Sequence, residues 1–398
     1  MLFNPFSLEF QCNPESTYRT LHAQGKILKM ASFGSNDWII SGYQEVQEGL
    51  RNADFYKLDM VAQAAAMAEH HDHQEGWPNL QMVVDNWLFF KEKPEHGESR
   101  KLLHSWFTKA NIAELSTHIR EITCAEKQKL RGRGWFNLVD LAALIPYKLM
   151  CRMLGDEAFQ TKESFTQAVS LFQIVTPPVS FSQFEKMEIA AQHYVLLIKS
   201  RLTQPKPLKP GILAYLQELY QQGDLTLPEV TGAVSMLLSV GQDTTQNLIG
   251  NTVYGLFKHP QQLERLRLDP KLMNLAVAEG GRYMPPVSIL PRRVLVDTEF
   301  NGHSIAKGDN VYLLIGAACR DQSAFKNADE FIIERDEKTK LIYGHGVHLC
   351  LGLHLANLMT TIAIEELLSE SNLEVDIEAA KFSNTIGIYG FDHLPARF

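Results

Sequence analysis

The sequence predicts a mainly α-helical fold with a small β-rich region, built as a single domain over residues 1–398. Apolar residues recur with helical periodicity from about residue 94 to residue 272, whereas strand signals lie near the two ends of the chain. Trp38–Ile40 is a short apolar run near the start. Arg293–Val296 and the segment after Asn301-Gly302 flank an Asn-Gly pair, the strongest local signal for a β-hairpin. No repeat, low-complexity tract or flexible linker divides the chain.

Composition and charge limit the class of function. The chain has 398 residues, of which 45% are hydrophobic and 21% charged, as expected for a globular protein with a large core. Its formal net charge is −8 and no basic domain compensates for it, which argues against nucleic acid as a partner. A short basic run, Lys127, Lys129, Arg131 and Arg133, is interpreted as a solvated helix end.

The sequence also bears on the compartment. The N-terminal segment has no basic stretch followed by an apolar core, so no secretory signal is predicted, and the longest apolar runs are too short to span a bilayer. The five cysteines are scattered without paired spacing, which fits a reducing compartment. We therefore expect a cytoplasmic protein that needs no membrane.

The most informative segment is Tyr343–Gly352, which contains Cys350 between a glycine-bearing loop and an amphipathic helix. The apolar residues after Cys350 recur at helical spacing, so one face of that helix is buried. Unpaired backbone N–H groups at the start of a helix favour a thiolate, and the glycines allow the backbone to lie flat against a broad planar group. An axial thiolate to haem iron fits this pattern, although a lone cysteine before a helix is more often a small buried side chain.

The whole segment is more specific than its cysteine, because it resembles the cysteine-ligand loop of the bacterial soluble cytochrome P450 family. The residues that carry the resemblance, in register, are Gly344, Gly346, His348, Cys350, Gly352, Leu355 and Ala356. The resemblance covers essentially the whole chain and implies a cytochrome P450-like fold with haem b (iron protoporphyrin IX) and Cys350 as its axial ligand. One departure is Tyr343, where the family usually has phenylalanine; its hydroxyl needs a partner or solvent.

A second signal is the acid–alcohol pair Asp243-Thr244 inside the long apolar helical stretch Val230–Phe257. Both side chains compete for backbone hydrogen bonds in mid-helix, so this stretch is expected to hold a buried helix distortion, the alternative being an exposed helix face. By resemblance, Thr244 would hold water beside the reacting dioxygen and Asp243 would connect that water to solvent. These two residues are the predicted catalytic pair.

A third signal is Glu279-Gly280-Gly281-Arg282, in which the charged residues share a helix face. The spacing alone carries little information, but its place before the cysteine loop resembles the family's structural Glu-Arg pair. The two glycines destabilise the helix by about 1 kcal/mol each relative to alanine. The family's further arginine is replaced here by Glu330, and Arg335 is a possible substitute.

Resemblance also implies a set of cations for the two haem propionates. His96 and Arg100 lie four residues apart on one helix face, Arg292 follows the Glu-Arg helix, and His348 precedes the cysteine. Each alone would be read as an ordinary surface or capping residue. Arginine and histidine suit partly buried anions because they give directed hydrogen bonds.

The segment Glu69-His70-His71-Asp72-His73 is a competing metal signal, since histidine and carboxylate side chains bind divalent cations. It has no fixed partner elsewhere in the sequence. We interpret it as a solvated loop, within the variable region that the resemblance places over the substrate.

No Gly-x-Gly-x-x-Gly fingerprint follows a strand, so no nucleotide-binding reductase module is predicted. Electrons must then come from a separate protein, and the resemblance implies a ferredoxin with its ferredoxin reductase. Arg100, Lys101 and Lys109 are the candidate docking residues for such an acidic carrier.

The sequence therefore predicts a haem-thiolate monooxygenase that uses dioxygen and two electrons to hydroxylate a hydrophobic small molecule in specialised metabolism. The same cofactor could instead drive desaturation, epoxidation or oxidative coupling. A non-catalytic gas-sensing or recruitment module is the alternative from another class, and the Asp243-Thr244 pair argues against it. The candidate substrate-pocket residues are Trp87, Met236, Ser239, Val240, Val287, Ser288 and Ile388.

Overall fold

The structure is a computed structural model that describes residues 3–5, 7–30, 37–57, 60–73, 75–176, 178–204, 207–337 and 339–398. Within these ranges, none of the helices combines the length and the hydrophobicity that crossing a bilayer requires.

Helices dominate the described chain, as predicted. In chain order they are α1 (Leu8–Cys12), α2 (Pro14–Gln24), α3 (Tyr43–Gly49), α4 (Met60–His70), α5 (Pro78–Asp85), α6 (Glu95–His104), α7 (Lys109–Glu114), α8 (Ser116–Leu130), α9 (Leu138–Leu154), α10 (Lys162–Phe172), α11 (Phe181–Thr203), α12 (Ile212–Gln222), α13 (Leu227–Lys258), α14 (Pro260–Leu268), α15 (Met273–Tyr283), α16 (Ile315–Ala318) and α17 (Leu353–Leu368).

The strands are short and lie mostly near the two ends of the chain. They are β1 (Ile27–Met30), β2 (Asp37–Ile40), β3 (Phe55–Lys57), β4 (Phe136–Asn137), β5 (Leu290–Val294), β6 (Thr298–Phe300), β7 (His303–Ile305), β8 (Asn310–Leu313), β9 (Glu374–Val375), β10 (Lys381–Phe382), β11 (Phe391–His393) and β12 (Pro395–Arg397). A mainly α fold with a small β-rich region is thereby confirmed.

The contacts divide the chain into two compact units. Unit 1 comprises Met1–Leu58, Thr123–Ala142 and Thr244–Phe398, and unit 2 comprises Asp59–Ile122 and Ala143–Asp243. The boundary after Asp243 falls inside α13, between the two residues of the acid–alcohol pair. All the strands described above belong to unit 1, and the described elements of unit 2 are helical. The expectation of one domain over residues 1–398 stays a prediction.

The main sheet of unit 1 has five strands in the order β1-β2-β8-β5-β3. Strand β2 pairs in parallel with β8, which places Ile40 opposite Leu313, and β5 pairs antiparallel with β8, which places Arg292 opposite Val311. Ile40, Val311 and Leu313 are completely buried. Because β-branched and aliphatic side chains fit a pleated and buried surface, these residues form strands here rather than helices.

The predicted hairpin is present, but one of its strands is different. Asn301 and Gly302 adopt positive φ angles of 50° and 78° between β6 and β7, as the two central residues of such a turn require. The strand before the turn is Thr298–Phe300, whereas Arg293–Val296 was predicted. Arg293 and Val294 belong instead to β5 of the main sheet, where Val294 is buried.

The basic run at the end of α8 is exposed at Lys129, Arg131 and Arg133, as predicted, but not at Lys127. Lys127 is buried, and its Nζ donates to the Glu366 carbonyl at 2.7 Å and lies 3.0 Å from Glu370 Oε1. This ammonium group lies at the last turn of α17, where positive charge is favourable. Lys127 therefore makes an ion-paired contact inside unit 1 instead of facing solvent.

Candidate active site

The loop before Cys350 folds back on itself. Gly344 and Gly346 adopt φ angles of 77° and 69°, a region that side chains other than glycine rarely enter. The backbone N–H of Cys350 donates to the Tyr343 carbonyl at 2.9 Å and closes the loop. Helix α17 begins at Leu353, three residues after the cysteine. The sequence therefore holds Cys350 on a fixed turn directly before the helix, close to where the pattern predicted it.

The surroundings of Cys350 fit a broad apolar group. Leu349, Cys350, Leu351 and Gly352 are only partly buried, and Val347 is 44% exposed, whereas the second half of α17 is buried. A Cβ atom built on Gly352 would meet no heavy atom within 4 Å, so open space adjoins the cysteine. Partly exposed apolar side chains around a thiol, with a glycine that leaves room, are suited to a planar macrocycle bound through sulfur.

Tyr343 occupies the position where the family usually has phenylalanine, and its hydroxyl is shielded from solvent and makes no hydrogen bond of normal geometry in the described part of the chain. Burial, and then the negative charge of Cys350, raise the pKa of Tyr343 well above its ordinary value. A weak side-chain hydrogen bond with Asn357 opposes this shift, while the Asn357 amide nitrogen also donates to the Leu353 carbonyl at 2.9 Å.

The acid–alcohol pair lies in a continuous helix. Helix α13 runs from Leu227 to Lys258, and both Asp243 and Thr244 are partly buried. The expectation of a buried helix distortion is therefore wrong: the helix is uninterrupted and the pair is only partly buried. The neighbouring residues Gln242 and Thr245 occupy the fully buried faces of the helix, which turns Asp243 and Thr244 toward its less covered sides.

The Glu279-Arg282 pair is formed and buried. Arg282 donates from Nε to Glu279 Oε2 at 2.7 Å and from its second amino group to Oε1 at 2.8 Å. The same guanidinium donates to the carbonyl oxygens of Cys319, Ala328 and Glu330. Since these carbonyls precede the cysteine loop in unit 1, the pair fixes the backbone that leads to it.

The double glycine allows α15 to approach its neighbours closely. A Cβ on Gly280 would lie 2.2 Å from Thr252 Oγ1 of α13, and one on Gly281 would lie 2.4 Å from Ile342 Cδ1. Both distances are far inside van der Waals contact. The glycines that weaken the helix locally are therefore required by its packing.

The four candidate propionate partners are divided between the units. In unit 1, Arg292 is buried in β5 and His348 lies in the short turn Gly346–His348 before the cysteine. In unit 2, His96 is buried and Arg100 partly buried, one turn apart on α6. Their role toward a cofactor stays a prediction.

The candidate pocket residues form one group in each unit. In unit 1, Val287 forms a β-bridge with Ile388, and the Ser288 N–H donates to the Gly387 carbonyl at 2.7 Å. In unit 2, Met236 lies one turn before the adjacent residues Ser239 and Val240 on α13.

Trp87, also in unit 2, is completely buried and donates from Nε1 to Ser235 Oγ at 3.0 Å, one helical turn before Ser239. Ser235 was missed from the sequence, because a serine in an apolar helix carries no local signal of a distant indole.

The histidine segment is solvated as predicted, since Glu69 to Asp72 are exposed, but only its second half is a loop. Glu69 and His70 end α4, the ring of His71 lies 4.6 Å from that of Phe181, and the ring of His73 lies 5.2 Å from that of Trp77. In the described residues, no group of histidine, cysteine and carboxylate side chains is arranged to hold a metal ion. These histidine rings pack against aromatic side chains, and the partner Phe181 is so distant in sequence that no local pattern reveals it.

The fold and this loop define a class of protein: a mainly α-helical chain whose cysteine turn is suited to bind a planar, metal-bearing cofactor. A family model described as cytochrome P450 matches residues 38–386. The chain belongs to the cytochrome P450 family. It is accordingly a P450 monooxygenase with haem as its cofactor.

Individual relatives are similar to this chain over nearly its full length. The chain is 29% identical to the biotin biosynthesis cytochrome P450 of Bacillus subtilis, with 98% of each chain covered. It is 29% identical to the vitamin D(3) 25-hydroxylase of Pseudonocardia autotrophica, covering 98% of this chain and 95% of the relative. The crystal structure of P450BioI in complex with an acyl carrier protein ligated to hexadec-9Z-enoic acid is similar with a TM-score of 0.87 and 30% identity, covering 98% of this chain and all of that one.

Proposed function

We propose that this enzyme uses dioxygen and two electrons from a separate redox partner to hydroxylate a hydrophobic small molecule. The observation that carries the proposal is the cysteine turn: Cys350 is held by a backbone bond to Tyr343 and lies among partly exposed apolar side chains. Haem bound there through sulfur would supply the oxygen-activating chemistry.

The residues of unit 1 around the turn would bind and orient the cofactor. Cys350 provides the thiolate, which the helix start favours over the thiol. The candidate hydrogen-bond donors to the two propionates, taken as a set, are Arg292, His348, His96 and Arg100. The network of Glu279 and Arg282 keeps the backbone before the turn in place, so its role is structural.

Asp243 and Thr244 would supply protons. The Thr244 hydroxyl holds a water molecule, and the Asp243 carboxyl exchanges protons between that water and solvent. Their partial exposure supports this role, since a relay must reach solvent, whereas a completely buried acid would be neutral and isolated.

The electron donor would be an acidic carrier such as a ferredoxin with its reductase. Lys101 on α6 and Lys109 at the start of α7 are both exposed in unit 2 and available for electrostatic steering. Replacing both with glutamate should lower the rate of reduction steeply at low salt and much less at high salt.

Hydroxylation is favoured over the other oxidations by the relatives named as hydroxylases. A non-catalytic sensor would need no proton relay, so the acid–alcohol pair favours turnover. Turnover with a surrogate ferredoxin system separates these functions: haem binding without electron uptake, under every ligand tried, would favour the sensor.

The thiolate assignment has a direct spectroscopic test. The reduced carbon monoxide complex should show the strongly red-shifted Soret band of thiolate ligation, and Cys350→His should lose it. Cys12→Ser is the matched control, because Cys12 is exposed at the end of α1 and should leave the band unchanged. An ordinary imidazole-type band in the unmutated enzyme would refute the proposal.

A further inference from the structure

Unit 2 contains a cavity of about 380 Å³ between the end of α4 and the start of α5. Its apolar wall is formed by Ala64, Ala68, Leu80, Val84 and Ile174. The volume is within the range of small-molecule sites in proteins, which are mostly apolar with a few polar groups.

One buried hydrogen-bond donor lines this cavity without a partner. Trp77 is 5% exposed, and its indole Nε1 makes no hydrogen bond with any described residue. A buried N–H that loses its hydrogen bond to water without gaining another destabilises the fold, and such groups are uncommon in folded proteins. A donor of this kind on a cavity wall indicates an acceptor that arrives from outside the chain.

The indole is held in place by α11. Its ring stacks on that of Phe184, with centroids 4.7 Å apart. One turn further along α11, Glu188 accepts the backbone N–H of Leu80 at 2.8 Å and both the backbone and the amide N–H of Asn79. This carboxylate caps the N-terminus of α5, next to Trp77. The donor is therefore preorganised before any ligand binds.

The charge around the cavity selects against anions. Glu69 and Glu75 line it and are exposed, and neither forms an ion pair within the described chain. Lysine and arginine are absent from the described lining residues. A carboxylate at the opening would meet two like charges, whereas a neutral polar group would not.

We propose that this cavity binds an uncharged, mainly apolar molecule through an oxygen atom that accepts a hydrogen bond from Trp77. None of the candidate substrate-pocket residues is among the described residues that line this cavity, so the inference stands apart from the proposed function. It assigns the class of the ligand: an amide, ester, lactone or ketone rather than a free carboxylic acid. Trp77 acts here as a specificity-determining residue.

The test compares decanamide with decanoate, which share a chain and differ in charge, by calorimetric titration of the haem-loaded enzyme. Decanamide should bind at least about tenfold more tightly. Trp77→Phe keeps the stacked ring but removes the donor and should weaken decanamide by about five- to tenfold. Trp135→Phe is the control, since Trp135 is 48% exposed in unit 1 and outside the cavity.

Two further variants test the inference even if the Trp77→Phe variant does not fold. Glu69→Gln combined with Glu75→Gln should bring decanoate to within about threefold of decanamide, without changing decanamide. Ala64→Leu fills the cavity from a partly exposed helix face and should weaken decanamide by more than about tenfold.

Equal binding of the two probes, no binding of either, or unchanged decanamide affinity in Trp77→Phe and Ala64→Leu would overturn the inference. Failure of the proposed function has a different signature, because it would show in the carbon monoxide spectrum and leave these affinity ratios as they are.

Discussion

The guanidinium of Arg335 lies against the carboxylate of Glu279, with Nε 3.3 Å from Oε2 and 3.4 Å from Oε1. Arg282 approaches the same carboxylate from within its own helix at 2.7 Å, and the backbone N–H of Ile332 donates to it at 2.8 Å. Arg335 thus supplies a second guanidinium for Glu279, and the Glu330 carbonyl oxygen accepts hydrogen bonds from both arginines.

This shared carboxylate should be indispensable for stability. Glu279→Gln would remove the carboxylate that two buried guanidinium groups share, and breaking a buried ion pair costs about 3–5 kcal/mol. Glu334→Gln is the control, since its pair with Arg265 is about half exposed and such pairs contribute at most about 1 kcal/mol. Denaturant unfolding followed by circular dichroism measures both variants. Equal losses of unfolding free energy would show that the buried network contributes no more stability than an exposed ion pair.

Close packing of α15 predicts opposite effects of the same substitution at two glycines. Gly280→Ala places a Cβ against Thr252, and overpacking of this kind costs about 1–3 kcal/mol, more than the helix propensity gained. Gly97→Ala, in α6, meets nothing within 4 Å and should stabilise by up to about 1 kcal/mol. Thermal unfolding compares them, and a stabilising Gly280→Ala would contradict the packing argument.

Asp321 predicts an acid dependence of stability. Burial raises its pKa, but hydrogen bonds from Lys26, from the Tyr43 N–H and from Ser323 lower it more, to about 2 from an ordinary value of 3.8. A carboxyl with a depressed folded-state pKa contributes stability above its unfolded pKa and loses it as pH falls toward the folded value.

The difference in unfolding free energy between the unmutated enzyme and Asp321→Asn should therefore be about 2 kcal/mol at pH 5–7 and shrink between pH 4 and pH 2. Urea titrations at each pH measure it. Glu157→Gln, which removes a fully exposed partner of Lys209, should have little effect at any pH. A difference for Asp321→Asn that stays constant down to pH 2 would mean that the carboxylate is not held by these bonds.

The sequence allowed the helical class, the Asn-Gly turn and the cysteine turn to be predicted because each depends on neighbours a few residues away. Positive φ angles at Gly344, Gly346 and Asn301 follow from local chemistry. The paired Glu279 and Arg282 are likewise one helical turn apart.

What the sequence could not predict depends on partners distant along the chain. Trp87 reaches Ser235 across 148 positions, and Glu188 caps a helix more than a hundred residues before it. Lys127 was interpreted as solvated because nothing near it in sequence reveals the end of α17. The cavity beside Trp77 is hidden for the same reason, since its walls come from α4, α5 and a turn near Ile174.

The acid–alcohol pair predicts how oxidation fails when the relay is broken. Thr244→Ala should still consume electrons and dioxygen, but product formed per electron should fall about 10- to 100-fold, since positioned proton transfer contributes at least that much. Thr252→Ser is the control on the same helix, because serine keeps the hydroxyl that donates to the Leu248 carbonyl. Parallel assays of electron donor consumption and product measure the ratio. Unchanged coupling in Thr244→Ala would remove Thr244 from the proton path.

Two tyrosines predict opposite results for the loss of one hydroxyl. Tyr147 donates to the Phe159 carbonyl at 2.6 Å, so Tyr147→Phe removes a buried hydrogen bond and should cost about 1–2 kcal/mol. The Tyr343 hydroxyl is buried without such a bond, so Tyr343→Phe removes only an uncompensated polar atom and should be neutral or stabilising by up to about 1 kcal/mol.

Unfolding of the two variants under identical conditions measures the contrast. A loss of stability in Tyr343→Phe equal to that in Tyr147→Phe would reveal a hydrogen-bond partner for the hydroxyl beside Cys350. The tyrosine would then stabilise the cysteine turn, and its hydroxyl would not be an uncompensated polar group.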